Sequence, residues 1–156
     1  MKYNEILKKN LSRSIQVKNK FIQNLDDNQN VENVIEKILN AYKQGGKLYI
    51  AGNGGSAADA QHLSAEFLVR LRPKVNRRPY PLINLMQDSS TFSACSNDYS
   101  FNKIFERNLD ALGRQEDVLI CLSTSGNSKN IFNVIKLAKK RKIFIISFLG
   151  KKGGIC

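Results

Sequence analysis

The sequence predicts an α/β fold: a doubly wound parallel sheet in three layers, α/β/α, preceded by two helices. Short apolar runs of strand length recur at Leu48-Tyr49-Ile50-Ala51, Tyr80 to Leu85, Val118 to Leu122 and Ile143 to Phe148. Segments with helical periodicity separate them. Apolar runs of this kind form buried parallel strands joined by right-handed helical crossovers. Two of the runs also lead into loops rich in glycine and hydroxyl residues, Gly52-Asn53-Gly54-Gly55-Ser56 and Ser123-Thr124-Ser125-Gly126-Asn127-Ser128.

The elements follow in order. Residues 2 to 24 read as a helix whose apolar stripe, Ile6, Leu7, Leu11, Ile15, Val17 and Phe21, must pack on something. A second helix starts near Asp26 to Asn30, carries Val31, Val34, Ile35, Ile38, Leu39 and Tyr42, and stops at Gly45-Gly46. The first strand follows at once. After the glycine loop a helix reaches about Leu71, and Pro73, Pro79 and Pro81 keep the next stretch out of helix. Gln87-Asp88-Ser89-Ser90-Thr91 reads as a helix start, and a further helix covers Phe101 to Leu112, ended by Gly113. The last strand is followed only by Gly150 to Cys156, an open, flexible loop. A doubly wound domain seldom finishes there, so a C-terminal strand and helix are expected to be missing.

A chain of 156 residues forms one domain: a helical segment over 1–45 and an α/β core over 47–156. The start of the chain lacks the apolar core of a secretory signal and no run reaches membrane-spanning length, so a cytoplasmic protein with no membrane partner is expected. Cys95, Cys121 and Cys156 are odd in number and widely spaced, without metal or redox pairing, and Cys121 reads as a buried strand residue. The net charge of +12 gathers at Arg70, Arg72, Lys74, Arg77 and Arg78 and at Lys139 to Lys142. The second group is placed as a helix C-terminus favours, and most of the first reads as solvated loop. Neither has a recognition helix or interleaved aromatics, so no nucleic-acid partner is expected.

At a strand-to-helix junction, unpaired N–H groups and the positive end of the helix dipole gather, and glycine lets an anion approach the backbone closely. An N-cap alone would explain either loop. Four hydroxyl residues among six positions, Ser123, Thr124, Ser125 and Ser128, exceed what a cap requires, and together the loops favour a phosphorylated ligand. In a doubly wound sheet both fall in the crevice beyond the carboxyl ends of the strands. Gly52, Gly54 and Ala57 also fit G-x-G-x-x-A, yet no acidic residue follows at the distance a dinucleotide ribose needs. His62 and Glu66, at i and i+4, present an imidazole and a carboxylate on one helix face. Such a pair transfers protons, supplies two ligands to a divalent metal such as zinc, or forms a plain surface ion pair. Asp59 reads as a solvated or supporting residue, and Asn97-Asp98 as a turn or cap.

At these residues the sequence resembles the SIS (sugar isomerase) family, in particular its isomerases of sedoheptulose 7-phosphate. The likeness rests on Ala51 to His62, Ala65-Glu66, Arg70, Ser96-Asn97-Asp98-Tyr99 and Ser123 to Ser128, and spans nearly the whole chain. The resemblance implies that Ser56, Ser123, Thr124, Ser125 and Ser128 bind the substrate phosphate. With Gly54 and Gly55 in the same loop, Asn53 and Asp98 would contact sugar hydroxyls. Glu66 would be the base of an aldose–ketose isomerisation through an ene-diol, and His62 with Glu66 would be two zinc ligands. It also implies a homotetramer with sites at subunit interfaces and a place in ADP- or GDP-heptose synthesis for lipopolysaccharide or other surface glycans. The family completes its site with a glutamine and a histidine on a final helix, for which this sequence has no counterpart. The alternative is a non-catalytic SIS module that binds a sugar phosphate or regulates a partner. Glu66 favours the enzyme.

Overall fold

The computed structural model describes residues 2–25, 29–86, 88–150 and 153–156. Expectations for Asp26 to Asn28, Gln87, Lys151 and Lys152 fall outside the described residues. Contacts divide the chain into two units, Met1–Glu36 and Lys37–Cys156.

The first unit holds α1 (Tyr3–Gln23) and the opening of α2 (Gln29–Lys43). Its apolar stripe is where the 3.6-residue period puts it. No residue of α1 is buried, and Leu7, Leu11, Ile15 and Phe21 are each more than half exposed.

The second unit is the α/β core. Strands β1 (Leu48–Gly52), β2 (Leu82–Asn84), β3 (Val118–Ser123) and β4 (Phe144–Leu149) form one parallel sheet in the order β2-β1-β3-β4. Every residue of β1 is buried, as expected for a strand covered on both faces. Tyr49, Ala51, Leu119 and Cys121 share a core with Ile104, Phe105 and Leu109 of α5 (Ile104–Leu112) and Ile131, Val134, Ile135 and Ala138 of α6 (Lys129–Lys140). Cys95 of α4 (Ser89–Asp98) joins it. On the opposite face, α3 (Gly55–Leu68) lies against β1 and β2, and Ser64 Oγ donates to the Leu82 carbonyl at 2.5 Å. Three layers result. Among the described residues no helix is long and apolar enough to cross a membrane.

Strand order fixes where a ligand crevice opens. After β1 the chain runs to β2 on one side, then returns to β3 on the other, so β1 and β3 flank the switch point. Gly52 stands beside Leu122 in the register of this pair. The glycine loop and the serine loop therefore leave neighbouring strand ends.

Several expected boundaries shift. Helix α3 stops at Leu68 rather than near Leu71, because Arg77 donates to the carbonyls of Glu66 and Phe67 (2.9 Å to the latter) and its guanidinium stands 5.2 Å from the Tyr80 ring. Arg77 is thus a helix-terminating residue instead of solvated loop. The second strand is only Leu82–Asn84, since Pro79 and Pro81 have no N–H for a ladder; Pro81 contributes its carbonyl, which accepts the Leu48 N–H. Asn97 and Asp98 belong to the last turn of α4, not to a separate turn, and Asn97 Nδ2 donates to Asp98 Oδ1 at 2.9 Å. Expected as an open loop, the described end of the chain is held. The Cys156 N–H donates to the Gly126 carbonyl at 3.0 Å and the Ile155 N–H to Asn127 Oδ1 at 3.2 Å.

Candidate functional site

Both loops are built for close approach to their surroundings. Gly54 caps α3 with φ +56, a left-handed conformation that glycine adopts without strain. It leaves Gly55 and Ser56 in the first helical turn, where the Ser56 and Ala57 N–H groups donate back to the Asn53 and Gly54 carbonyls, both at 3.0 Å. Gly126 has φ +66, and a Cβ there would run into the Gly153 carbonyl. Inside the serine loop, buried Ser123 Oγ accepts the Gly126 N–H at 3.1 Å and Ser125 Oγ accepts the Asn127 N–H at 3.1 Å.

Ser128 does not act as a plain cap. It occupies the N-cap position of α6, yet its side chain makes no capping hydrogen bond. Ser56 likewise stands inside α3, two residues past the cap position held by Gly54. The cap explanation accounts for neither hydroxyl.

Ser56, Asp59, Ser123 and Thr124 line one cleft of about 460 Å³ with Leu122 and residues 147–150 at the end of β4. Serines from both loops thus share one space. Asp59, expected to be solvated or supporting, is part of the wall.

Asn53, Gly54, Gly55, Ser125 and Ser128 lie outside the lining of that cleft, as do His62, Glu66 and Asp98. Six and ten residues of helix separate His62 and Glu66 from Ser56, a rise of about 9 Å and 15 Å at about 1.5 Å per residue. Asp98 ends α4 and is exposed. The His62–Glu66 pair itself forms, with Nε2 to Oε1 at 3.6 Å and Glu66 three-quarters buried while His62 is largely exposed. Glu66 Oε2 is buried and has no hydrogen-bond partner among the described residues. A carboxylate oxygen in that state calls for a donor or a cation. The imidazole nitrogen and carboxylate oxygen match two of the ligand types zinc takes. Among the described residues no group of three or more His, Cys, Asp and Glu side chains is arranged to hold a metal, so the pair supplies half of a tetrahedral set.

One polar residue escaped the sequence reading. Asn130, in the first turn of α6 and 1% exposed, exchanges two hydrogen bonds with Asn53 across the crevice. Nδ2 of each donates to Oδ1 of the other at 2.9 Å. The helical pattern alone makes it an ordinary polar residue of an N-terminal turn; only its two-residue distance from Ser128 marked it.

Comparison with known proteins places this architecture. The SIS domain family matches residues 13–150. The chain belongs to the SIS family. Among related proteins of this family, the phosphoheptose isomerase of Clostridium acetobutylicum is 43% identical over 144 residues, covering 92% of this chain and 72% of that protein. The phosphoheptose isomerase of Leptospira biflexa is 37% identical over 154 residues, 99% of this chain and 78% of that one. Solved SIS structures agree with the fold. Phosphoheptose isomerase GmhA from Neisseria gonorrhoeae superposes with a TM-score of 0.86 at 34% identity, over 98% of this chain and 78% of that one. The enzyme from Francisella tularensis gives 0.90 at 30% identity, over 99% and 78%. The chain is therefore an SIS-family enzyme of the phosphoheptose isomerase group.

Proposed function

We propose that this chain is an aldose–ketose isomerase that converts sedoheptulose 7-phosphate to D-glycero-D-manno-heptose 7-phosphate. The observation that carries the reading is the cleft that Ser56 of the glycine loop shares with Ser123 and Thr124 of the serine loop. Ser56, Ser123, Thr124, Ser125 and Ser128, at the positive N-terminal ends of α3 and α6, hold the phosphate, and Asn53 and Asp98 contact sugar hydroxyls. Glu66 is the base. Its carboxylate takes a proton from C1 of the ketose, the C1–H electrons become the C1=C2 bond of the ene-diol, and the proton returns to C2. O2, a carbonyl oxygen in the ketose, gains a proton as the ene-diol forms, and O1 gives one up as it collapses, so the carbonyl moves from C2 to C1 with no external oxidant or reductant.

His62 and Glu66 contribute two ligands to a zinc ion, which when bound stabilises negative charge on the sugar oxygens. Glu66 Oε1 faces His62, and Oε2 has no hydrogen-bond partner among the described residues. With about 15 Å of helix between Ser56 and Glu66, a site completed between copies of the chain, as in the homotetramer the resemblance implies, accounts for both ends of the substrate. The exposed apolar stripe of α1 supports such an assembly. The enzyme would supply a cytoplasmic route to ADP- or GDP-heptose.

The test is turnover of sedoheptulose 7-phosphate by the wild type and by Glu66→Gln. Turnover falls at least about 100-fold in the variant, the usual weight of a general base, while sugar-phosphate binding stays within about threefold. Equal turnover by the two proteins would overturn the role of Glu66. Binding without turnover by the wild type would favour the non-catalytic SIS module.

A further inference from the structure

We propose that Asn130 is a positioning residue: paired with Asn53, it sets the glycine loop and the serine loop at the one spacing and orientation that lets both grip the same phosphate. The inference rests on reading the two loops as a sugar-phosphate site. Asn53 follows β1 directly and begins the turn that aims Gly54, Gly55 and Ser56; Asn130 lies two residues beyond Ser128. Their amides close a ring of two hydrogen bonds, both 2.9 Å, and Oδ1 of Asn130 accepts in addition the Ile131 N–H at 2.9 Å. One side chain thus fastens the neighbouring loop and pins the first turn of its own helix.

The chemistry of the pair argues for orientation over packing. Two apolar side chains of similar volume would fill the same space without burying polar groups, and such replacements are often neutral for stability. An amide ring adds directionality: each group is donor and acceptor at once, so neither loop can slide or rotate without breaking a bond. Strand register already fixes Gly52 beside Leu122, but beyond the strand ends the backbone is unpaired, and there the amide ring takes over. A phosphate held by donors from two loops depends on their separation, and a displacement of about 1 Å costs of order a hundredfold at a site of this kind.

Calorimetric titration with sedoheptulose 7-phosphate, accompanied by thermal unfolding, tests this on the full chain. Asn130→Ala and Asn130→Leu each weaken binding at least about tenfold, the leucine variant despite filling the space. Asn53→Ala weakens it as well. In the double variant Asn53→Ala/Asn130→Ala the second substitution adds less than about twofold, because Asn130 acts through Asn53. Three results would overturn the proposal: wild-type affinity in Asn130→Leu, full additivity in the double variant, or loss of binding only in proportion to unfolded protein. If the wild type binds no sugar phosphate, the reading of the site fails and takes this proposal with it; if the wild type binds and Asn130→Ala binds equally, only the positioning role falls.

Discussion

At the N-terminal edge of the sheet, buried Asp117 accepts the Lys47 N–H on one oxygen and the Arg114 N–H on the other, both at 2.7 Å. The Gly46 N–H reaches the Ala41 carbonyl at 2.8 Å and the Tyr49 hydroxyl reaches the Leu112 carbonyl at 2.8 Å. At the C-terminal edge, Ser128 holds the cap position without capping, and Ser56, Ser123 and Thr124 open into a cleft. Size does not separate the two ends, since a cleft of about 470 Å³ also lies at the N-terminal edge beside Asp117 and Lys142. What separates them is how far their polar groups are satisfied. One end closes its hydrogen bonds within the chain; at the other the Ser128 hydroxyl makes no capping bond, although the Ser56, Gly126, Asn127 and Ile131 N–H groups are already paired.

The strongest way to break this contrast is Asp117→Ala. It leaves two part-buried N–H groups without their carboxylate acceptor, so chemical denaturation should show a loss of about 2 kcal/mol, while the folded fraction binds sugar phosphate as the wild type does. Weakened binding by the folded fraction would show that the two ends are not independent. At the other edge Ser128→Ala should behave in reverse. Stability changes by less than about 0.5 kcal/mol because no capping bond is lost, and sugar-phosphate affinity falls about tenfold or more, the weight of a hydrogen bond to a charged group. A loss of about 1 kcal/mol in stability with unchanged affinity would restore the simple cap. The smallest effect is at Tyr49. Burial holds its hydroxyl pKa up at about 12, with Asp117 adding to the shift. The native state keeps this proton where the unfolded chain releases it, so the contribution is intact below pH 10 and is lost as pH rises toward 12. Tyr49→Phe should cost about 1 kcal/mol at neutral pH and flatten that alkaline slope.

Local pattern made some of this legible and tertiary contact hid the rest. Four apolar runs between helical periods were enough for the parallel sheet, and the composition of the two loops marked the crevice. The end of α3 was not legible, because Arg77 terminates it from ten residues away, and no local signal distinguishes that arginine from its basic neighbours. Asp117 reads as one more polar residue before a strand; only burial reveals that it ties two backbone segments. His62 and Glu66 were recognisable as a pair from spacing, and they do pair. Their distance from the glycine loop followed from helix rise alone, but what lies opposite them is not encoded in the spacing of one helix.

The account stands or falls on a polar edge that holds a sugar phosphate while Glu66 moves a proton. Its most direct measurement is the isomerisation of sedoheptulose 7-phosphate in deuterium oxide, read by nuclear magnetic resonance for wild type and Glu66→Gln. The account predicts an aldose product carrying deuterium at C2 with the wild type, and labelling slower by at least about 100-fold with the variant. Equal labelling by the two proteins would contradict it.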